Sequence, residues 1–500
     1  MMQLVPYLII VPLVAAFLIP IAGKRMKDIP PVLAACASFT LAILSCLIAA
    51  AVITCKVAVY KVGNWPPPAG ISMVADSLSC LVLVTVNTVA FLVAVYSIDY
   101  MKKYTDTWKF YALFSLMLAG INGVLVAGDI FNLYVFLEIA AIAGYFLVAF
   151  GVEAESLEAA FKYAVMGAVA SVFIFLGIGF LYSYTSTLNM ADMAAFMTMN
   201  NSPELVVFVS VLFLMGFGLK AALVPFHSWL PYAHSQAPAP VSAMLSGVSI
   251  KVLGIYALAR IFFNVFGFSH AISSILITLA VLSMLVGGLL AFGQTDIKRL
   301  FAYSSISQIG YIALGLGVGT PLAIFGALFH LVNHSIFKSL LFLNSGSIEE
   351  ISGTRDLGRI SGIISKEPVT GYTNLIAAFS ICGMPPLGGF WSKLIIILAC
   401  IQANRPVLAF IAAIVSILTL AYYFRALTPA LFGKEKGEGG SGQKAGWAMA
   451  IPMVVLAVLA IAGALLIVPS SANGAHILLK DAASVLTNGK NYAMMIMGAM

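Results

Sequence analysis

Long apolar runs, separated by short polar segments, follow one another along almost the whole chain. Each run approaches or exceeds the roughly 20 residues that a helix needs to cross a bilayer. Membrane barrels instead use alternating strands of about ten residues, and lipid leaves backbone polar groups unsatisfied unless the chain is helical. The pattern predicts an all-α integral membrane protein with about 14 spans, whose approximate cores are 3–22, 31–54, 75–98, 110–128, 130–150, 161–185, 204–223, 239–265, 271–292, 301–319, 322–345, 371–402, 407–430 and 447–469.

Composition agrees with this interpretation. Hydrophobic residues make up 62% of the 500-residue chain and charged residues only 9%, whereas a soluble domain needs roughly 25% charged residues. The formal net charge of +7 is scattered over short loops, so we expect no nucleic-acid partner. The six cysteines form no C-x-x-C pair, and we expect no cofactor and no iron–sulfur or zinc site.

The distribution of Lys and Arg predicts an orientation. Most of them fall in loops that lie on one side of the membrane if both termini lie on the other. Basic loops face the cytoplasm in most membrane proteins. We therefore expect a multi-pass protein of a bacterial or archaeal cell membrane with both termini outside.

Proline and glycine interrupt two of the spans. The first interruption is PFHSWLPYAHSQA at 225–237, and the second is GMPPLGG at 383–389. Such breaks free backbone carbonyls, which must then line a cavity or find partners in the protein. A lysine stands beside each break, Lys220 before the first and Lys393 after the second, which suggests an internal duplication.

Ionisable residues stand inside the apolar runs. Glu138, Lys220 and Lys251 each have apolar neighbours on both sides, and a charge at the bilayer centre costs on the order of 2.5–3.5 kcal/mol. A structural ion pair could explain Glu138, and snorkelling to the interface could explain Lys220. Lys251 lies too deep for snorkelling. We favour proton handling as the reason for all three.

A further polar stripe follows in the second half of the chain. His330, His334 and Lys338 recur at every fourth residue, which places them along one side of a helix. Titratable groups at one-turn spacing can pass protons through intervening waters. A metal site is the weaker alternative because no nearby carboxylate completes the histidine pair, and a packed polar stripe remains open.

Several long motifs resemble one known family. The chain is similar to the antiporter-like L, M and N subunits of respiratory complex I, to the A and D subunits of Mrp cation/proton antiporters, and to their counterparts in membrane-bound energy-converting hydrogenases. The similarity spans about residues 75–430. The strings that carry it are FNLYVFLEI, GFGLKAALVPFHSWLPYAHSQAPAPVSAMLSGVSIKVLGIYALAR, QTDIKRLFAYSSISQIGYI, FHLVNHSIFKSLLFLNSGSI and MPPLGGFWSKL.

This resemblance implies an architecture of fourteen helices that contains two inverted five-helix repeats and broken seventh and twelfth helices. The corresponding regions here are an N-terminal three-helix region at 1–105, a first antiporter-like repeat at 106–265 and a second at 266–432. Residues 433–500 would supply a glycine-rich loop, the last transmembrane helix and a C-terminal tail.

The resemblance also implies residue roles. Glu138 would pair with Lys220, and Lys251 would relay protons onward. His330, His334 and Lys338 would continue the axis to a terminal Lys393. His227 would be a loop histidine near the first broken helix.

The implied function is translocation of protons, or of Na⁺, by a membrane subunit of a multisubunit complex. The D-type subunit of Mrp antiporters, or its equivalent in a complex I-like or hydrogenase-linked complex, is the best match. The alternatives are an N-type subunit of NADH:quinone oxidoreductase and a non-transporting scaffold subunit. The chain has no flavin, quinone, nickel or iron–sulfur motif, so any redox chemistry would belong to partner subunits.

Overall fold

A computed structural model describes residues 2–200, 202–434, 445–470 and 473–499. Most of the predicted glycine-rich loop at 433–445 lies outside these residues. The described elements are α1 (Tyr7–Gly23), α2 (Ile29–Cys55), β1 (Val57–Lys61), β2 (Ser72–Asp76), α3 (Ser77–Tyr100), α4 (Thr107–Val126), α5 (Ile130–Val148), α6 (Ala154–Thr185), α7 (Met190–Met199), α8 (Pro203–Lys220), α9 (Trp229–Gln236), α10 (Ala239–Val265), α11 (His270–Phe292), α12 (Ile297–Val318), α13 (Pro321–Ser352), α14 (Ile363–Lys366), α15 (Pro368–Cys382), α16 (Gly388–Gln402), α17 (Pro406–Phe432), α18 (Trp447–Ala462), α19 (Gly474–Thr487) and α20 (Tyr492–Gly498).

Thirteen helical stretches of the described chain are long and apolar enough to cross a membrane. The predicted all-α integral membrane class is therefore confirmed. The fourteenth predicted span, 371–402, is divided between α15 and α16, which have 15 residues each. Neither of these two helices is long enough to cross a bilayer alone.

Two helix interruptions bring irregular backbone into the helical bundle. Between α8 and α9, the N–H of Val224 donates to Ser283 Oγ at 2.9 Å, and the indole N–H of Trp229 donates to the Leu219 carbonyl at 3.1 Å. Between α15 and α16, Gly383 has φ +80°, a conformation that glycine adopts without strain. Groups freed at the first break thus find partners in the protein.

Three helices form the centre of the bundle. The apolar parts of α10, α12 and α13 are almost wholly buried, whereas α1 and α2 expose most of their surface. Helix α13 packs against α3, α10, α12, α15, α16, α18 and α19. Within α10, residues Leu245–Tyr256 hydrogen bond in the π pattern. Segments with this pattern are rare and are frequently found at functional sites.

The two ends of the bundle differ in charge. One end, which we call the basic face, is defined by Lys298, Arg299, Arg355, Arg359 and Arg425 in and around the α11–α12 and α13–α14 connections and at the end of α17. There the Lys298 amine pairs with Glu349 at 3.0 Å. The opposite end carries the antiparallel β1–β2 hairpin and the C-terminal α19, which packs on α3. The positive-inside rule predicts that the basic face is cytoplasmic.

A buried ion pair fastens α3 to α10 near the hairpin. The Arg260 guanidinium donates to both carboxylate oxygens of Asp76 at 2.6 and 2.8 Å, and also to the hydroxyl of Tyr256 at 3.0 Å. Asp76 caps α3 through the N–H of Ser79 at 2.9 Å. Burial opposes ionisation of Asp76, but the guanidinium outweighs it and lowers the pKa of the carboxyl below its ordinary value.

Removing the arginine should destabilise the protein. Arg260→Ala leaves the buried Asp76 carboxylate without its partner, which costs about 3–5 kcal/mol. The thermal midpoint in detergent or nanodiscs should fall clearly, while Arg359→Ala, whose side chain is 79% exposed, should leave it unchanged. Equal midpoints for the two variants would contradict a stabilising role for the pair.

The same pair predicts a pH dependence. Because the pKa of Asp76 is lowered in the folded state, its contribution to stability is complete above the ordinary carboxyl pKa of about 4. It is lost as the pH falls below that value through the lowered pKa. Stability measured against pH should therefore drop more steeply at acid pH in the wild type than in Asp76→Asn.

Candidate functional site

Glu138 and Lys220 meet at the first helix break. Helix α5 presents the glutamate and the last residue of α8 presents the lysine, whose amine lies 3.2 Å from Glu138 Oε1. The side chain of Lys220 is 3% exposed and that of Glu138 is 22% exposed. Lys220 is thus buried and its amine does not reach the membrane interface. Glu138 does form an ion pair, as one interpretation of its place in the sequence predicted.

A serine completes this pair. Ser171 on α6 donates to Glu138 Oε1 at 2.5 Å and lies 3.2 Å from the Lys220 amine. The hydroxyl of Tyr145 lies 3.5 Å from the same amine. Sequence reasoning missed both residues, because a single hydroxyl in an apolar helix carries no specific signal. The four side chains form a hydrogen-bonded cluster that can share a proton.

Lys251 lies at the centre of α10 and is 1% exposed. Its amine donates to the backbone carbonyl of Ser246 in the π-bonded segment. The Ser246 hydroxyl in turn lies 2.7 Å from that of Ser305 on α12. Hydroxyl groups thus connect the surroundings of Lys251 to the second half of the chain.

Lys338 lies in the middle of α13 and is fully buried. Its amine donates to the Phe301 carbonyl of α12 at 2.6 Å and lies 3.4 Å from the hydroxyl of Tyr423 on α17. Lys338 therefore stands where α12, α13 and α17 meet.

His330 and His334 lie on the same buried side of α13. Nδ1 of His330 is 2.9 Å from Ser392 Oγ on α16, and the two imidazole rings are 6.0 Å apart. Nε2 of His330 and both ring nitrogens of His334 have no hydrogen-bond partner among the described residues. Buried polar atoms of this kind are normally satisfied by water, so these ring nitrogens are places where an ordered water can bind.

Lys393 follows the second break and is 2% exposed. Its amine donates to the Ile381 carbonyl at 2.7 Å and lies 5.1 Å from the centre of the Tyr311 ring. The regular helical partner of that carbonyl would be residue 385, which is a proline without an N–H. The break thus supplies the oxygen that binds the lysine.

The structure separates two histidines that the sequence places in one motif. His227 lies in the turn between α8 and α9, and no hydrogen bond or ion pair between it and the other predicted site residues is seen in the described chain. His234 on α9 was not predicted, yet it is fully buried and stacks on Phe342 at 4.9 Å. Both of its ring nitrogens lack a hydrogen-bond partner among the described residues. Only its position beside the first break could have indicated it.

The lysines of the row fall into two kinds. Lys220 has a carboxylate partner, whereas Lys251, Lys338 and Lys393 form no ion pair within the described residues. Backbone carbonyls contact their amines instead. Nor does the described chain contain any group of three or more His, Cys, Asp or Glu residues that could hold a metal ion.

A multi-pass helical membrane protein that buries several lysines and histidines in its interior has the general design of an ion-pathway protein. The particular family follows from comparison. Residues 127–419 match the family model described as NADH:quinone oxidoreductase/Mrp antiporter, TM, and residues 67–111 match that of the N-terminus of complex I chain 5. The chain belongs to the NADH:quinone oxidoreductase/Mrp antiporter family of membrane subunits.

Relatives from two branches of the family are similar over most of their length. The N subunit of NADH-quinone oxidoreductase from Desulforudis audaxviator is 40% identical over 74% of this chain and 74% of its own. The D subunit of the Na(+)/H(+) antiporter from Alkalihalophilus pseudofirmus is 35% identical over 81% of this chain and 82% of its own. A chain of the Mrp complex from Dietzia sp. superimposes with a TM-score of 0.91 over the full length of both chains, at 26% identity.

Replacing the two kinds of lysine should affect stability in opposite ways. Lys220→Met leaves Glu138 without its cation and should cost about 1–3 kcal/mol. Lys251→Met removes a buried amine that has no counter-ion and should be neutral or stabilising. Thermal midpoints of the purified variants measure the difference. A larger fall in the thermal midpoint for Lys251→Met than for Lys220→Met would contradict the description of Lys220 as the paired amine and Lys251 as the unpaired one.

Proposed function

We propose that this chain translocates protons through the membrane as the antiporter-like subunit of a multisubunit complex. The row from the Glu138–Lys220 pair through Lys251 to Lys338 and Lys393 is the path. The single observation that carries this proposal is the presence of three buried lysines without carboxylate partners in the described chain. A scaffold would gain nothing from amines that cost free energy to bury.

The steps beyond Lys251 each have a candidate connection. His234 accepts from Ser242 of α10 through its carbonyl and stacks on Phe342 of α13, and both of its ring nitrogens lack a partner among the described residues. It can therefore take part in a link between Lys251 and Lys338. The Ser246–Ser305 contact provides a second link at 2.7 Å. His334 and His330 lead from Lys338 along α13 toward Ser392, the neighbour of Lys393. We also propose that residues 106–265 and 266–432 act as two repeats, each with a lysine beside a helix break, while His227 serves the first break from its turn.

Protons fit this row better than sodium ions do. A hard cation such as Na⁺ needs several oxygen ligands at once, and Glu138 is the one carboxylate among the residues of the proposed path. Its Oε1 already accepts from both Lys220 and Ser171. A sodium-linked activity of the whole complex would then need a sodium site elsewhere.

Two relatives suggest different sources of driving force. The relative from Alkalihalophilus pseudofirmus is named as the D subunit of a Na(+)/H(+) antiporter, and we propose an equivalent place for this chain. The relative from Desulforudis audaxviator is named as an NADH-quinone oxidoreductase subunit and supports the alternative, in which redox chemistry of partner subunits drives the same path. The neighbouring genes distinguish the two, because hydrogenase or quinone-module subunits accompany only a redox complex.

Neutralising the first pair should stop translocation. In sealed membrane vesicles that contain the assembled complex, Glu138→Gln and Lys220→Ala should each lower the rate of proton movement about tenfold or more, which corresponds to about 1.4 kcal/mol or more of barrier. Glu158→Gln is the matched control because it removes a carboxylate from an exposed pair with Lys162. Assembly is checked by the amount of complex in the membrane.

Wild-type rates in both Glu138→Gln and Lys220→Ala, with normal assembly, would contradict the proposed path and favour a scaffold.

A further inference from the structure

A cavity of about 460 Å³ opens between the α11–α12 turn, the segment 357–361 and the last turns of α17. It lies on the basic face. Polar side chains that line it are Gln294, Thr295, Ser361, Tyr422, Arg425 and Lys434. The volume is large enough for several waters, and the role assigned above to the lysine row does not involve it.

The inner end of the cavity is formed by a tyrosine. Tyr422 lines the cavity, yet its side chain is 1% exposed. Ser304 and Thr419 lie near its hydroxyl, but within the described part of the chain neither meets the distance and angle criteria of a hydrogen bond with it. A buried hydroxyl without a protein partner beside a polar cavity is a place for an ordered water.

A seam of polar side chains continues inward between α12 and α17. Gln308, one turn along α12 from Ser304, is fully buried; its Nε2 lies 3.5 Å from the hydroxyl of Thr419, and its Oε1 has no partner in the described chain. The hydroxyls of Ser304 and Tyr423 are 3.2 Å apart. Tyr423 is in turn 3.4 Å from the amine of Lys338.

We infer that this cavity is the aqueous entrance through which Lys338 exchanges protons with the basic face, by way of Tyr422, Ser304 and Tyr423. The inference rests on the proposed function and adds to it a point of access in the second half of the chain. Each hydroxyl can accept a proton on a lone pair while it gives up its own. A proton can therefore pass from cavity water to a neutral Lys338 amine, which becomes an ammonium, while the three hydroxyl side chains return to their neutral form.

The lining also selects against other cations. Arg425 and Lys434 stand at the cavity, and no carboxylate is among its described lining residues. The Arg425 guanidinium is held in place by the Phe292 carbonyl at 2.8 Å. Among these described lining residues a sodium ion would meet positive charge and no anionic ligand, whereas a proton moves by rearrangement of hydrogen bonds.

A hydroxyl deletion tests the seam. Tyr422→Phe keeps the ring and its packing, and in vesicles with the assembled complex it should slow proton translocation about five- to tenfold. The matched control is Tyr303→Phe, because Tyr303 is the neighbour of Ser304 on α12 but is not among the described residues that line the cavity. A wild-type rate in Tyr422→Phe would overturn the inference.

Chemical blockage tests the cavity itself. Ala426 lines it and is half-buried, so Ala426→Cys should be modified by a membrane-impermeant, positively charged thiol reagent added at the basic face of sealed vesicles. Modification should lower the rate about tenfold, while the wild type, treated alike, accounts for the native cysteines. The amount of label is measured by mass spectrometry of the purified subunit.

Two results would overturn the entrance: no labelling from the basic face, or full labelling with an unchanged rate. Both leave the proposed function standing if Glu138→Gln and Lys220→Ala still abolish transport. Wild-type transport in those two variants would instead remove the proposed function, whatever the labelling shows.

Discussion

The burial of amines without counter-ions is the constraint on which the rest of this structure depends. Lys251, Lys338 and Lys393 each have a backbone carbonyl, and no carboxylate, within contact distance in the described chain. Carbonyls inside a helix are already bonded within it, although each oxygen can accept a second hydrogen bond. The carbonyl that binds Lys338 belongs to the regular helix α12, whereas those that bind Lys251 and Lys393 lie in the π-bonded segment and beside the proline break. Irregular backbone thus accompanies two of the three unpaired amines.

The contrast between the paired and the unpaired lysines suggests how charge could move. Glu138 holds Lys220 at one end of the row, and Ser171 ties the two together. In a low-dielectric interior, a change in the charge of this pair acts strongly on neighbouring sites. Because Glu138 is partly exposed, a change at the surface of the subunit can act on the Glu138–Lys220 pair directly. The wholly buried lysines can then respond by gaining or losing a proton.

The sequence predicted the class of fold and located the buried charges, because a lone Glu138 or Lys251 in an apolar run is visible without any structure. Beyond the Glu138–Lys220 pair, which the family resemblance implied, it could not predict pairings between distant segments. Asp76 and Arg260 are 184 positions apart, and the members of the cluster at the first break come from three separate helices. His234 was not predicted because it lies in the segment 225–237 of the first break, where polar residues are expected in any case. The described chain contains 13 helical stretches long enough to cross a membrane and not the 14 predicted, because the predicted span 371–402 is divided between α15 and α16. The inverted repeats and the roles of the row stay predictions.

The most direct test of the central claim replaces Lys338 by arginine, which keeps the positive charge but does not release its proton in a protein. Proton translocation is measured in sealed vesicles whose content of assembled complex matches the wild type. If the buried amine carries protons, Lys338→Arg should assemble and keep less than about a tenth of the wild-type rate. A rate close to wild type would show that only a fixed charge is needed there, and would contradict proton transfer along the row.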